Sequence, residues 1–253
     1  MSMRTNSRAC LAVLTSALVF AALPAEGRVD CNEGLGALDA TADSRLTAQD
    51  FISEIAAKET ALSRAFATFG YRLEVVVQTL KGDEVDGEFR QALLSEFDDT
   101  GARRDRLEGE TINTLKRIKF SESDVWAFRD TLPFTLTMDK LADRDIVYSG
   151  RQAMGDVRLH VFDILPRHGV DRERAFLGRT WVRGRTMGIV RTCGRSPGFP
   201  IARMRYEVIR GEVPGSDDYL PFSIRADEDV DVDGEKVHVR INVTYRNYSK
   251  KRP

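Results

Sequence analysis

Near the C-terminus, in KVHVRINVTYRN (residues 236–247), Val237, Val239, Ile241, Val243 and Tyr245 alternate with His238, Arg240, Asn242, Thr244 and Arg246. A strict period of two gives a β-strand with one buried and one wet face. YRLEVVVQT repeats the pattern, with Tyr71, Leu73, Val75 and Val77 against Arg72, Glu74 and Gln78. Between these two strands, turn signals stand at Lys81-Gly82-Asp83, Asp86-Gly87, Thr100-Gly101, Arg183-Gly184, Pro214-Gly215 and Asp233-Gly234. Many are roughly ten to fifteen residues apart, which predicts an antiparallel meander curled into a barrel or half-barrel.

One face of such a sheet has to be covered. In SRLTAQDFISEIAAKETALSRAFATF (residues 44–69), Phe51, Ile55, Leu62, Phe66 and Phe69 recur at steps of three, four and seven, on one face of an amphipathic helix. Thr47 followed by Asp50 is a capping-box-like start. SESDVWAFRD, with an N-cap at Ser121, and TLTMDKLAD add short helical pieces. The expected class is mainly β with helices (α+β): an unclosed antiparallel half-barrel covered by the N-terminal amphipathic helix and short lid helices. No linker divides it, so residues 44–253 read as one domain.

The chain opens with the basic MSMRTNSR, the apolar ACLAVLTSALVFAAL and PAEG, the three parts of a secretory signal peptide over residues 1–27, with cleavage after Ala25 or Gly27. A membrane anchor needs roughly 20 apolar residues, and this run stops at Pro24. A lipid anchor fits poorly, because Cys31 follows GRVD. The expected location is the periplasm, with a soluble mature chain. Residues 28–43, RVDCNEGLGALDATAD, lack a period and read as a flexible N-terminal arm. Removing the signal takes Cys10 and leaves Cys31 and Cys193. Either a disulfide ties the arm to the sheet or two thiols stand apart, since nothing in the sequence sets their distance.

A formal net charge of −1 over 253 residues argues against a nucleic-acid binder. Asp229, Asp231, Asp233 and Gly234 imitate the start of a calcium loop, but its twelfth position is Arg240 where a glutamate is needed. Three scattered histidines, His160, His168 and His238, do not suggest zinc, and His160 and Asp163 fall on opposite faces of one strand. No nucleophile motif, phosphate-cradling loop or carboxylate pair stands out, so no catalytic residue, metal or cofactor is assigned, and the chain is not read as an enzyme. Two N-x-[ST] matches, at Asn242 and Asn247, matter only in a eukaryotic secretory pathway. RAFLGRTWVRGRTMGIVRTCGR (residues 174–195) carries six arginines. Arg179, Arg183 and Arg185 are candidates for contact with an acidic partner or membrane surface, unless the acidic stretch 217–235 neutralises them.

That stretch, together with ALSRAFATFGYRLEVVVQTL, YSGRQAMGDVRLHVFDILPR, ARMRYEVIRGE, YLPFSIRADEDV and GEKVHVRINVTYRNY, resembles exported bacterial proteins of the outer-membrane lipoprotein-sorting type, distant relatives of the LolA periplasmic lipoprotein carriers. The likeness runs from about residue 51 to the end. It implies an unclosed barrel with helices over its concave face and an apolar cavity for acyl chains. The chain departs from the pattern at Arg183-Gly184-Arg185, where relatives carry an acidic residue after the Trp-Val pair. Two functions follow as expectations. In the first, a carrier binds a lipid, lipoprotein or other acylated ligand. Its lining would be Phe51, Ile55, Leu62 and Phe66 from the helix, Tyr71, Leu73, Val75, Val77, Val239, Ile241, Val243 and Tyr245 from the strands, and Trp126, Phe128 and Phe134 from the lid. In the second, an envelope interaction or sensor module fills its cavity with its own side chains and meets its partner through the basic region.

Overall fold

The computed structural model describes residues 30–41, 49–171, 175–213 and 219–250, with nothing stated of the side chains of residues 49 and 50. The expected signal peptide with its cleavage site, Cys10, the cap at Thr47 and the Pro214-Gly215 turn lie outside the described residues. Among those residues no helix is long and apolar enough to cross a membrane.

In chain order the elements are α1 (Gln49–Phe66), β1 (Phe69–Lys81), β2 (Glu84–Phe97), β3 (Arg103–Leu107), β4 (Ile112–Asn113) and α2 (Glu122–Trp126). A π-helical turn, Ala127–Thr131, and a 3-10 helix, Met138–Asp143, follow. The remaining strands are β5 (Arg144–Met154), β6 (Val157–Pro166), β7 (Leu177–Arg183), β8 (Gly188–Arg195), β9 (Arg205–Glu212), β10 (Tyr219–Val232) and β11 (Glu235–Lys250). They form one antiparallel sheet in the order β3-β2-β1-β11-β10-β9-β8-β7-β6-β5, with β4 beside β2. β3 and β5 are its two ends, so the sheet is unclosed.

The two alternating segments meet as neighbours. Leu73 lies opposite Tyr245, Val75 opposite Val243 and Val77 opposite Ile241. Register carries this face outward to Phe89 and Leu93 on β2 and to Ile224 and Ala226 on β10. Asp233 and Gly234, at φ 53° and 87°, form the two-residue turn between β10 and β11, a conformation that favours Asp-Gly.

Two expectations are corrected. Phe69 is not on the helix: α1 ends at Phe66 and Phe69 opens β1. Its ring is buried all the same, which is why it mimicked the helical period. Asp86-Gly87 is no turn but lies within β2, opposite a register shift at Thr79/Leu80. A Cβ at Gly87 would stand 2.9 Å from the Thr79 Oγ1 and 3.1 Å from the Thr114 carbonyl oxygen, so glycine here allows close approach of chains.

The main core lies on the face shared by β1, β2, β10 and β11, and α1 contributes Ile55, Leu62 and Phe66 to it. Phe66 stacks on Tyr71 with ring centroids 4.8 Å apart and meets Phe134 edge-on at 5.3 Å. Ser121 precedes α2 as expected, its backbone N–H donating to the Asp124 carboxylate at 2.7 Å.

A second, smaller cluster forms on the other face, from Leu159 and Val161 on β6, Trp181 on β7, Val190 and Cys193 on β8 and Tyr219 on β10, with Cys31 and Leu35 against it. Residues 30–41, expected to be flexible, are held there. Cys31 is joined to Cys193 by a disulfide, Leu35 bridges Met154, and Asp39 bridges Arg151. The buried Trp181 donates its indole N–H to the Gln152 Oε1 at 2.8 Å, and the Gln152 amide donates to the Gly36 carbonyl at 2.8 Å. The missing period was a poor guide because the arm is fixed by long-range contacts rather than by an element of its own.

Candidate functional site

Fourteen of the fifteen side chains expected to line an acyl cavity lie in or against the main core. Val75, Val77, Phe128, Val239, Ile241 and Tyr245 are fully buried, and Ile55, Leu62, Phe66, Tyr71, Leu73, Phe134 and Val243 nearly so. Phe51 is partly buried, stacked on Phe162 at 6.1 Å. Trp126 stands apart: it is 43 % exposed, with the Arg129 guanidinium 3.8 Å above its ring. The others fill the space between sheet and helix with ring contacts, including Tyr71 to Tyr245 at 5.9 Å and Phe128 to Phe199 at 5.8 Å.

Within this apolar layer sits an ion pair. Arg210 on β9 donates from both terminal nitrogens to the Glu59 carboxylate of α1, at 2.7 and 2.6 Å, and also to the Pro133 carbonyl. Both side chains are 2 % exposed or less, and the guanidinium lies 5.1 Å from the Phe134 ring. A bidentate guanidinium–carboxylate pair sets direction as well as contact, and it ties the helix to the lid segment and to the middle of the sheet. The sequence carries the signal. Glu59 falls in the apolar stripe between Ile55 and Leu62, and Arg210 takes the inward phase set by Tyr206 and Val208.

The basic stretch is largely neutralised on the outer face. Arg179 donates to the Asp163 carboxylate at 2.7 and 3.1 Å, and Arg183 pairs with Glu212 at 2.8 Å. Arg191 pairs with buried Glu207, and Arg195 with Glu228. Glu228 belongs to the acidic stretch 217–235, so part of that expected neutralisation is present. Burial raises the Asp163 pKa, but bonds from Arg179 and Ser149 outweigh it and leave the carboxyl below its ordinary range. Bonds to the Tyr219 hydroxyl and to Glu212 push the Arg183 pKa up.

Arg183 and Arg185 nevertheless border a cleft of about 780 Å³ between α1 and the β7–β8 turn. Glu54 and Lys58 of α1 form one wall, and Met187, Glu212 and Tyr219 belong to the other. Lys58 donates to the Thr186 carbonyl, so the helix and turn touch across one end. Three cations and two carboxylates line a surface that also carries apolar Met187 and the Tyr219 ring. Lys58 and Tyr219 went unnoticed in the sequence because their neighbours here are remote in the chain. Arg179 does not border this cleft. It lies beside a separate one of about 400 Å³, next to the disulfide. Among the described residues no group of three His, Cys, Asp or Glu side chains could hold a metal.

No family model and no curated protein matches the chain. Among solved structures it is similar to a DUF1329 family protein from Desulfovibrio piger, at 12 % identity and a TM-score of 0.40, over 79 % of this chain and 92 % of that one. It is also similar to a domain from Vibrio parahaemolyticus described as an outer membrane lipoprotein-sorting protein, at 9 % identity and a TM-score of 0.40, over 78 % and 91 %. A complex of MucA with MucB from Pseudomonas aeruginosa matches at 10 % identity and a TM-score of 0.27, over 80 % and 99 %. These likenesses are weak and concern the fold alone.

Proposed function

We propose that this chain is a non-enzymatic binding module of the bacterial cell envelope, exported to the periplasm, whose half-barrel interior is closed by its own side chains. Its partner is a polypeptide, bound in the outer cleft between α1 and the β7–β8 turn. The observation that carries the reading is the filled interior. The inward faces of β1 and β11 are buried against α1 and the lid segment, ring on ring, and Glu59–Arg210 holds the cover down. An acyl chain would have to displace this packing and break a buried ion pair before gaining any burial of its own. The cleft instead presents Lys58, Arg183 and Arg185 beside Glu54 and Glu212, donors and acceptors together, with one aromatic ring. That mixture suits a peptide backbone and mixed side chains better than a hydrocarbon tail.

The test is native mass spectrometry of the mature protein from the periplasm, followed by cross-linking in cells from a photoreactive residue at position 185 and, as control, at 104. The expected result is an apo mass with no ligand held in the interior by its acyl chains, and a discrete polypeptide adduct from position 185 but not from 104. A stoichiometric acylated ligand whose uptake is weakened by Val243→Gln, on the inward face, would overturn the reading in favour of the carrier.

A further inference from the structure

A further cavity, of about 240 Å³, opens at another place in the fold, where the 3-10 helix and the start of β5 face the connection between β8 and β9. Lys140 and Arg144 both border it. Neither makes an ion pair among the described residues. Lys140 donates to the Phe134 carbonyl at 2.7 Å, and Arg144 to the Thr135 carbonyl. Apart from these single bonds to backbone oxygens, both cations are left with N–H groups to offer. Burial and the neighbouring Arg144 lower the Lys140 pKa, and burial lowers that of Arg144. Two like charges are thus held together, partly out of water, with no carboxylate in bonding contact among the described residues; Asp139 acts on both cations, Asp143 on Arg144 and Glu59 on Lys140 only through space. Asp143 also borders the cavity, with its side chain exposed to solvent.

The uncharged wall points the same way. Tyr206 is fully buried and Thr135 is 4 % exposed; the Thr135 hydroxyl has no hydrogen-bond partner, and the Tyr206 hydroxyl has only the neighbouring Ser196 side chain to interact with. Buried hydroxyls are expensive to leave unmatched. Ser196 adds a third hydroxyl, and the Phe176 ring closes one side with the Arg144 guanidinium 5.6 Å away. Burial raises the Tyr206 pKa above the ordinary phenol range, and like any phenol it is a protonated donor at neutral pH.

We propose that this cavity binds a phosphate group, as the free dianion or as the head of a phosphomonoester. Two cations balance its charge, and the hydroxyls of Thr135, Ser196 and Tyr206 supply donors around a tetrahedral oxyanion, as charge-assisted recognition requires. The inference is independent of the polypeptide cleft, which shares none of these residues.

Calorimetric titration of the mature protein with inorganic phosphate, against sodium chloride at equal ionic strength, tests it. A second titration uses dihexanoyl phosphatidic acid below its micellar concentration. Saturable binding at one site is expected, weakened at least tenfold in Arg144→Gln. Tyr206→Phe should weaken it several-fold while leaving the apo melting temperature unchanged or higher. Binding of inorganic phosphate identifies a soluble source, whereas binding of the lipid alone, lost in Arg144→Gln, identifies a headgroup. Absence of saturable binding by both ligands, or unchanged binding in folded Arg144→Gln and Tyr206→Phe, would overturn the proposal.

Discussion

The two faces of the sheet are stabilised by different means. The inner face is broad and aromatic, its core shared with residues of α1 and of the segment from Ile118 to Leu136, and its principal polar fastening is the enclosed Glu59–Arg210 pair. The outer face has a small apolar cluster around Trp181, covered by an arm with little structure of its own. Elsewhere it carries partly exposed ladders such as Arg72–Glu74 and Asp227–Arg240. Where apolar area is plentiful, packing holds the cover and a polar pair aligns it. Where it is scarce, a covalent link does the holding, because an arm of twelve described residues buries too little to offset its own ordering.

The sharpest way to break this contrast is on the inner face. Glu59→Ala leaves Arg210 charged and enclosed, and should cost about 3–5 kcal/mol in urea unfolding. The double change Glu59→Leu with Arg210→Met should recover most of it. If the single variant lost less than about 1 kcal/mol, the pair would not be the fastening described here.

On the outer face, Cys31→Ser with Cys193→Ala opens a link between residues 162 apart, and should cost roughly 2–5 kcal/mol. Hydrogen exchange should then rise in residues 30–41 while the amides of β1 and β11 keep their relative protection. Equal loss on both faces would show that they are not separate in stability.

A smaller effect is expected where β7 and β8 pair. Gly178 and Gly194 face each other; a Cβ on Gly178 would meet the Cys193 carbonyl oxygen and one on Gly194 the Leu177 carbonyl oxygen at 2.5 Å, with the Phe176 ring 2.8 and 2.6 Å away. Alanine at either position should destabilise by about 1–3 kcal/mol through overpacking, read as a lower urea midpoint at unchanged slope.

Arg183→Glu with Arg185→Glu should cost about 1 kcal/mol, because it sets a carboxylate against Glu212 in place of an ion pair, while abolishing the cross-link from the cleft; the adduct is scored with the photoreactive residue moved to Lys58. Least of all, Arg179→Gln should cost about 0.2–1 kcal/mol at pH 7. Because the folded Asp163 pKa is depressed, that contribution is present above the unfolded carboxyl's ordinary value, near pH 4, and fades as pH falls through the lower folded value. Wild type and variant should therefore converge in stability under acid, as denaturation at pH 7 and pH 2.5 would show.

Local chemistry accounts for what was legible beforehand. Alternation at 237–245 and at 71–77 specified two strands and their buried faces, the stripe from Phe51 to Phe66 specified a covering helix, and Asp233-Gly234 specified its turn, because each signal acts within a few residues of chain. Phe69 and Asp86-Gly87 misled because a buried ring and a close-packed glycine look the same in one dimension whichever element carries them. Only the tertiary structure made β1 the neighbour of β11, joined Cys31 to Cys193, placed Arg210 against Glu59 across 151 positions, and gathered Lys140, Arg144 and Tyr206 around one cavity. Such pairings depend on which faces meet when the sheet curls. Sequence periodicity says that a face exists, and distance in space decides what it meets.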